Sequence, residues 1–174
     1  AVELGVDVII TDHHTVPERI EDIPPAYGIL HPLVRAPEYP FKHLSGGGVA
    51  FKLVQGLIRA DFDEVFSEHK KRVRDSFGRP INWEAYEKWL LDLVCMSTVG
   101  DCMPLVGENR VFATYGLIVL AKTKRLGLQA LLKRLKSRIK EFTPHTIGFL
   151  IGPRLNAASR MDHGRIAFDL LTAR

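Results

Sequence analysis

Three adjacent residues, Asp12, His13 and His14, stand directly after the apolar run Val6-Asp7-Val8-Ile9-Ile10. One carboxylate and two imidazoles offer the oxygen and nitrogen donors that suit Mn²⁺ above all, with Mg²⁺ the other candidate. Adjacent side chains at the end of a strand cannot all reach one ion. One imidazole is therefore expected on metal and its neighbour on substrate, as hydrogen-bond donor or general acid. The same residues also suit a pair of loop histidines beside a helix-capping aspartate, and spacing alone leaves both readings open.

A metal site needs a second carboxylate, and Asp101 is the best candidate. It stands in Thr98-Val99-Gly100-Asp101, where an apolar helix yields to a Gly and Pro break. A cap for the following helix is the plainer alternative. Ser45-Gly46-Gly47-Gly48 ahead of a helical pattern could cradle a phosphate, because glycine lets backbone N–H groups approach an anion at the positive end of a helix. Three glycines also turn a chain tightly, and without Lys-Ser/Thr the segment is no P-loop. Gly152 to Arg160 sets Arg154, Asn156 and Arg160 around an expected helix start, and arginine forks match phosphate oxygens. Surface salt bridges are the alternative there. His31, His43, His69, His145 and His163 lack ligand spacing and read as ordinary loop or surface residues.

These side chains need a scaffold to hold them. Val6 to Ile10 reads as a buried parallel strand delivering Asp12, His13 and His14 into a crevice at its carboxyl end. Ala1 falls in the last turn of a helix that Gly5 ends, and Tyr27 to His31 reads as a second short strand. Ser45 is a plausible N-cap for a helix through Ile58. Further helices are expected over Asp61 to Asp75, Trp83 to Thr98, Asn109 to Lys122, the basic stretch Leu128 to Ile139, and Ile166 to Arg174. The fold class is thus α/β, a parallel-sheet part followed by a mainly helical region.

Composition limits the rest. The 174 residues, 46% hydrophobic and 25% charged, suit one domain or a domain with part of another. A net charge of +4 fits an anionic partner such as nucleic acid without requiring one. Cys95 and Cys102 form no CxxC pair and read as core thiols of a reducing compartment. No apolar run reaches the roughly 18 residues that span a bilayer, so no membrane is expected and the location is expected to be cytoplasmic.

Taken together, the segments resemble the DHH phosphoesterase superfamily, in its branch of single-strand-specific exonucleases. The signature is Asp12-His13-His14. The next family segment appears as Tyr39-Pro40-Phe41-Lys42-His43-Leu44-Ser45-Gly46-Gly47-Gly48-Val49-Ala50-Phe51. The acidic motif is Thr98 to Asp101 with Pro104-Leu105 and Gly107-Glu108-Asn109-Arg110, and the arginine motif is Gly152 to Arg160. The resemblance implies a 5′-to-3′ single-stranded DNA exonuclease of repair and recombination, hydrolysing phosphodiesters with two Mn²⁺ or Mg²⁺ ions. His13 and Asp101 would be metal ligands, with Asp12 and His14 catalytic. Ser45, Gly46, Gly47, Gly48, Arg154, Asn156 and Arg160 would face DNA phosphates, and the basic helix is a weaker candidate for the same role.

The resemblance also implies that residues 1–122 are the C-terminal part of a DHH domain and 123–174 a helical connector. The family's upstream acidic motifs and its DHH-associated domain have no counterpart here, so this piece alone is expected to be inactive. His31 stands before Pro32 where Asn is more frequent, and Ser159 where Gly is usual. Implied partners are single-stranded DNA, single-strand-binding protein and a helicase. The alternatives are a non-catalytic single-strand-binding relative and a small-nucleotide phosphodiesterase of the same superfamily.

Overall fold

A 3₁₀ turn over Val2–Leu4 ends at Gly5, whose φ of +66° needs no Cβ to be accommodated. The computed structural model describes residues 2–34, 39–60, 64–75 and 78–173. Strand β1 (Ile9–Thr11) pairs in parallel with β2 (Gly28–Leu30), Ile10 lying opposite Ile29. Backbone bonds from Tyr27 to Val8 and from Asp12 to Leu30 bracket the ladder. Both strands are shorter than the apolar runs predict, because pairing stops where these bonds stop. The expected burial also fails in part. Val6 and Ile9 are 53% and 55% exposed, since nothing among the described residues covers that side of β1.

Helix α1 (Gly46–Arg59) begins where Ser45 accepts the Gly48 N–H at 3.1 Å. Helix α2 (Glu64–Arg72) occupies the predicted charged stretch, whose residues 61–63 lie outside the described residues. The single helix expected over Trp83 to Thr98 is two, α3 (Trp83–Trp89) and α4 (Leu91–Gly100). At the joint the Leu90 N–H is shared between the carbonyls of Tyr86 and Glu87, a tightened turn that re-aims the chain. Helix α5 (Gly107–Ala121) starts earlier than its apolar spacing suggests, at Gly107 with φ +49°. A Cβ there would sit 2.8 Å from the Phe41 ring.

Helix α6 (Leu126–Leu135) continues as a 3₁₀ turn over Lys136–Arg138. The arginine motif starts helix α7 (Gly152–Met161), as expected, but an unexpected π-helix over Thr146–Ile151 runs straight into it. Pro153 is tolerated because it stands in the first turn of α7. Helix α8 (Arg165–Thr172) closes the described chain.

The α4–α5 pair is the spine of the molecule. A Cβ on Gly116 would lie 2.3 Å from the Cys95 Cβ, so glycine is what lets α5 approach α4. Around them Met96, Ala113 and Leu120 pack with Leu128, Leu135, Ile147 and Ile151, a core shared across residue 122. Each fully buried Leu or Ile contributes about 1.5–3 kcal/mol. A smaller cluster of Leu44, Val49, Phe51, Val94 and Phe112 fixes α1 on the same spine. Of the two cysteines only Cys95 is a core thiol. Burial, then the nearby Asp92 carboxylate, pushes it up to about 12, whereas Cys102 is exposed in the α4–α5 turn with φ +54°. Among the described residues no helix is long and apolar enough to cross a membrane.

Candidate metal centre

β1 ends at Thr11, and the next three residues turn around the Asp12 carboxylate. Its Oδ1 accepts the His13 N–H at 2.8 Å and the His14 N–H at 3.4 Å, and lies 2.6 Å from the His14 Nδ1. Partial burial works to raise the Asp12 pKa, but the bonds from His14 and His13 outweigh it and hold the carboxyl below its ordinary value. The turn sends the two imidazoles apart in environment. His13 is largely enclosed, at 17% side-chain exposure, while His14 stands 78% exposed with its Nδ1 side tied to Asp12.

His13 faces the far end of α4. Its Nε2 lies 3.7 Å from Oδ2 of Asp101, which stands at the C-cap of that helix. Asp101 does not cap the following helix, because Val106 occupies that position and makes no side-chain cap bond. Instead its carboxylate accepts from the Ser97 hydroxyl at 3.4 Å, one helical turn back. Ser97 is a residue that sequence reasoning missed. Its Oγ also accepts the Gly47 N–H at 3.1 Å, so it links Asp101 to the start of α1. The signal was present as the four-residue spacing of Ser97 and Asp101 on one helix face.

The glycines of 45–48 are explained first by packing. A Cβ on Gly47 would lie 2.6 Å from the Ser97 Cβ, and one on Gly46 would lie 3.4 Å from the His13 ring. The N–H groups of Gly47 and Gly48 are already bonded to Ser97 and Ser45, and the Ser45 hydroxyl faces Thr98 at 3.3 Å. The N-terminus of α1 thus brings its dipole beside the His13 ring.

Two further clamps hold this arrangement. His31 is not an ordinary loop residue: its Nε2 is 2.9 Å from the His14 carbonyl, and its Nδ1 accepts the Leu33 N–H at 3.1 Å. That donor and acceptor pair ties the end of β2 to the turn, a role an asparagine amide could also fill. Glu108 takes the Tyr39 hydroxyl at 2.7 Å and forms an ion pair with Lys52, joining α5 to α1. Burial works to lower the Lys52 pKa, yet Glu108 and Tyr39 raise it overall, so the lysine stays charged. Asn109 beside it is fully buried and donates to the carbonyls of His43 and Pro104.

On α7, Asn156 and Arg160 are one turn apart on a shared face, whereas Arg154 lies on the other side and donates to the Leu150 carbonyl at 2.6 Å. The three residues of the arginine motif are therefore not gathered on one surface. His13 and Asp101 supply two convergent donors, one imidazole nitrogen and one carboxylate oxygen. No group of three His, Cys, Asp or Glu among the described residues completes a metal shell.

No protein-family model matches the chain. It is 40% identical over 171 residues to the single-stranded-DNA-specific exonuclease RecJ of Bacillus subtilis, and 38% identical over 175 residues to that of Haemophilus influenzae. Each alignment covers 98% of this chain, but only 18% and 27% of those relatives. Among solved structures, Thermus thermophilus RecJ in complex with Mn²⁺ superposes with a TM-score of 0.69 at 29% identity, over 99% of this chain and 22% of its own. A manganese-bound exonuclease RecJ superposes at 0.68, also at 29% identity, over 98% of this chain and 37% of its own. The mostly helical arrangement around a small parallel sheet is the one those structures contain. In sequence and in fold, over nearly its whole length, the chain is similar to a segment of RecJ.

Proposed function

We propose that this chain supplies part of the metal shell and part of the phosphate-binding surface of an exonuclease that degrades single-stranded DNA from its 5′ end. The observation that carries it is the convergence of His13 and Asp101 at 3.7 Å, from opposite ends of the sequence segment that joins β1 to α4. His13 and Asp101 would together hold a divalent ion between them. Manganese is bound in both solved relatives, and an imidazole with a carboxylate suits it. Two ions are proposed for the complete site, with Mg²⁺ as the alternative, and the remaining ligands would come from outside His13 and Asp101.

When bound, the metal supplies positive charge to the scissile phosphate and makes water a nucleophile near neutral pH. The protein's own residues then have separate tasks. Asp12 orients the His14 ring, leaving its Nε2 to hold a phosphate oxygen or hand a proton to the leaving group. Ser97 steadies the Asp101 carboxylate. The dipole of α1 favours anionic charge beside His13. Asn156 and Arg160 hold phosphates from one face of α7, with Arg154 on its other side. DNA repair and recombination, with single-strand-binding protein and a helicase as neighbours, is the setting this function implies.

A chimera tests the proposal. The chain would replace the matching segment of Thermus thermophilus RecJ, and 5′-phosphorylated single strands of graded length would be incubated with Mn²⁺. Degradation from the 5′ end, abolished by His13→Ala or Asp101→Ala, is expected. A folded chimera that is inactive, or that stays active in both variants, contradicts it. Preference for the shortest strands would instead identify a small-nucleotide phosphodiesterase.

A further inference from the structure

Between Lys122 and Lys140 the chain carries eight of its 24 lysines and arginines and none of its 20 acids. Elsewhere acids outnumber bases, so the net positive charge of the molecule originates in this one segment. It is not spread evenly over a solvated face. A pocket of about 580 Å³ opens between the end of α5, α6 and the turn that follows, with Lys122, Lys133 and Lys136 at its rim and Leu132, Ile139 and Phe142 in its lining. All three lysines are exposed, and none forms an ion pair among the described residues. Other cations nearby are engaged: Arg125 pairs with Asp92, and Lys124 lies 4.3 Å over the Trp89 ring.

The position of the pocket separates it from the metal centre. Thr123, on its wall, bonds to Asp92 at the first turn of α4, while Asp101 stands at that helix's other end. Nine residues of helix put them about 14 Å apart. We propose that this pocket is a second single-strand subsite, holding a part of the strand away from the bond that is cut. Lysine ammonium groups match phosphodiester oxygens as point charges, and the apolar lining with Phe142 takes the face of an unstacked base. The volume suits about one nucleotide. Gln129 donates to the Thr123 carbonyl and leaves its amide oxygen for a base edge. The subsite rests on the single-strand function proposed above, and it adds that binding strength must depend on strand length.

Fluorescence anisotropy over a salt series, with the 174-residue chain and its Lys122→Gln/Lys133→Gln/Lys136→Gln variant, tests this. Exposed Lys→Gln changes should leave the fold intact, which circular dichroism checks. For a strand of about 20 nucleotides the slope of log K against log salt should fall by about 2, at about 0.7 for each phosphate that the variant no longer neutralises. For a trinucleotide, with two internal phosphates, the slope should fall by no more than about 1.4. Equal slopes for both proteins would overturn the subsite. So would equal weakening for long and short strands, or capture of an acidic peptide at these lysines in place of DNA. If the unmodified chain binds no strand at all, the single-strand function itself fails and the subsite with it.

Discussion

Helix α4 carries an aspartate near each end, and the two have opposite circumstances. Asp92, at its start, is 1% exposed and every neighbour answers it: Thr123 at 2.8 Å, Arg125 at 3.1 Å and the Leu93 N–H at 2.7 Å. Asp101, at the other end, is 40% exposed and meets one hydroxyl at 3.4 Å and one imidazole at 3.7 Å. A buried carboxylate with all its bonds made holds structure together, here joining α4 to the start of α6. A half-exposed carboxylate facing an imidazole at more than hydrogen-bonding distance has capacity left for an ion. The same helix thus anchors the core at one end and presents chemistry at the other.

Substitution should separate the two ends most sharply. Asp92→Ala strands Arg125 and Thr123 and should destabilise the protein by about 3 kcal/mol. Asp101→Ala should change stability by no more than about 0.5 kcal/mol, the usual range for an exposed site. Urea unfolding monitored by circular dichroism measures both, and equal destabilisation would erase the contrast. Next in size is Gly47→Ala. Its Cβ would collide with Ser97 at 2.6 Å, forcing α1 away from α4 at a cost of about 1–3 kcal/mol. A structure of that variant should find the His13–Asp101 gap widened.

His31→Ala removes a donor and an acceptor, at about 1 kcal/mol for each bond, whereas His31→Asn should recover much of that. Recovery in thermal melts would establish that the clamp, not the imidazole, is what the position requires. The smallest effect concerns pH. Because hydrogen bonds hold the Asp12 pKa below 3.8, its contribution to stability is fully present above that value and disappears as pH falls through the lower folded value. The destabilisation caused by Asp12→Ala should therefore shrink as pH falls below 3.8. A cost that grew in acid would contradict the turn described around Asp12.

Much of this was legible in the chain. The strand before Asp12, the Ser45 cap and most of the helices follow from apolar spacing and cap residues, which are local signals. What was hidden depends on partners distant in sequence. Nothing near Ser97 predicts that it meets Gly47, and nothing near Asp92 predicts Arg125, because both contacts arise from helix packing. The glycines of 45–48 read as a phosphate cradle, yet their close fit against Ser97 and His13 is visible only once α1 lies on α4. Gly152 and Pro153 mark the start of α7 as their residue types suggest, whereas nothing local announces the π-helical turn over Thr146–Ile151 that leads into it.

The central claim is that His13 and Asp101 bind one divalent ion together, and Mn²⁺ titration followed by electron paramagnetic resonance tests it directly. The signal of free Mn²⁺ falls as the ion binds, so the chain and its variants can be compared at equal folded concentration. His13→Ala and Asp101→Ala should each weaken binding by at least about tenfold, or 1.4 kcal/mol, while Asp92→Asn should leave the titration unchanged. Unaltered Mn²⁺ binding in both of the first two variants would contradict the account.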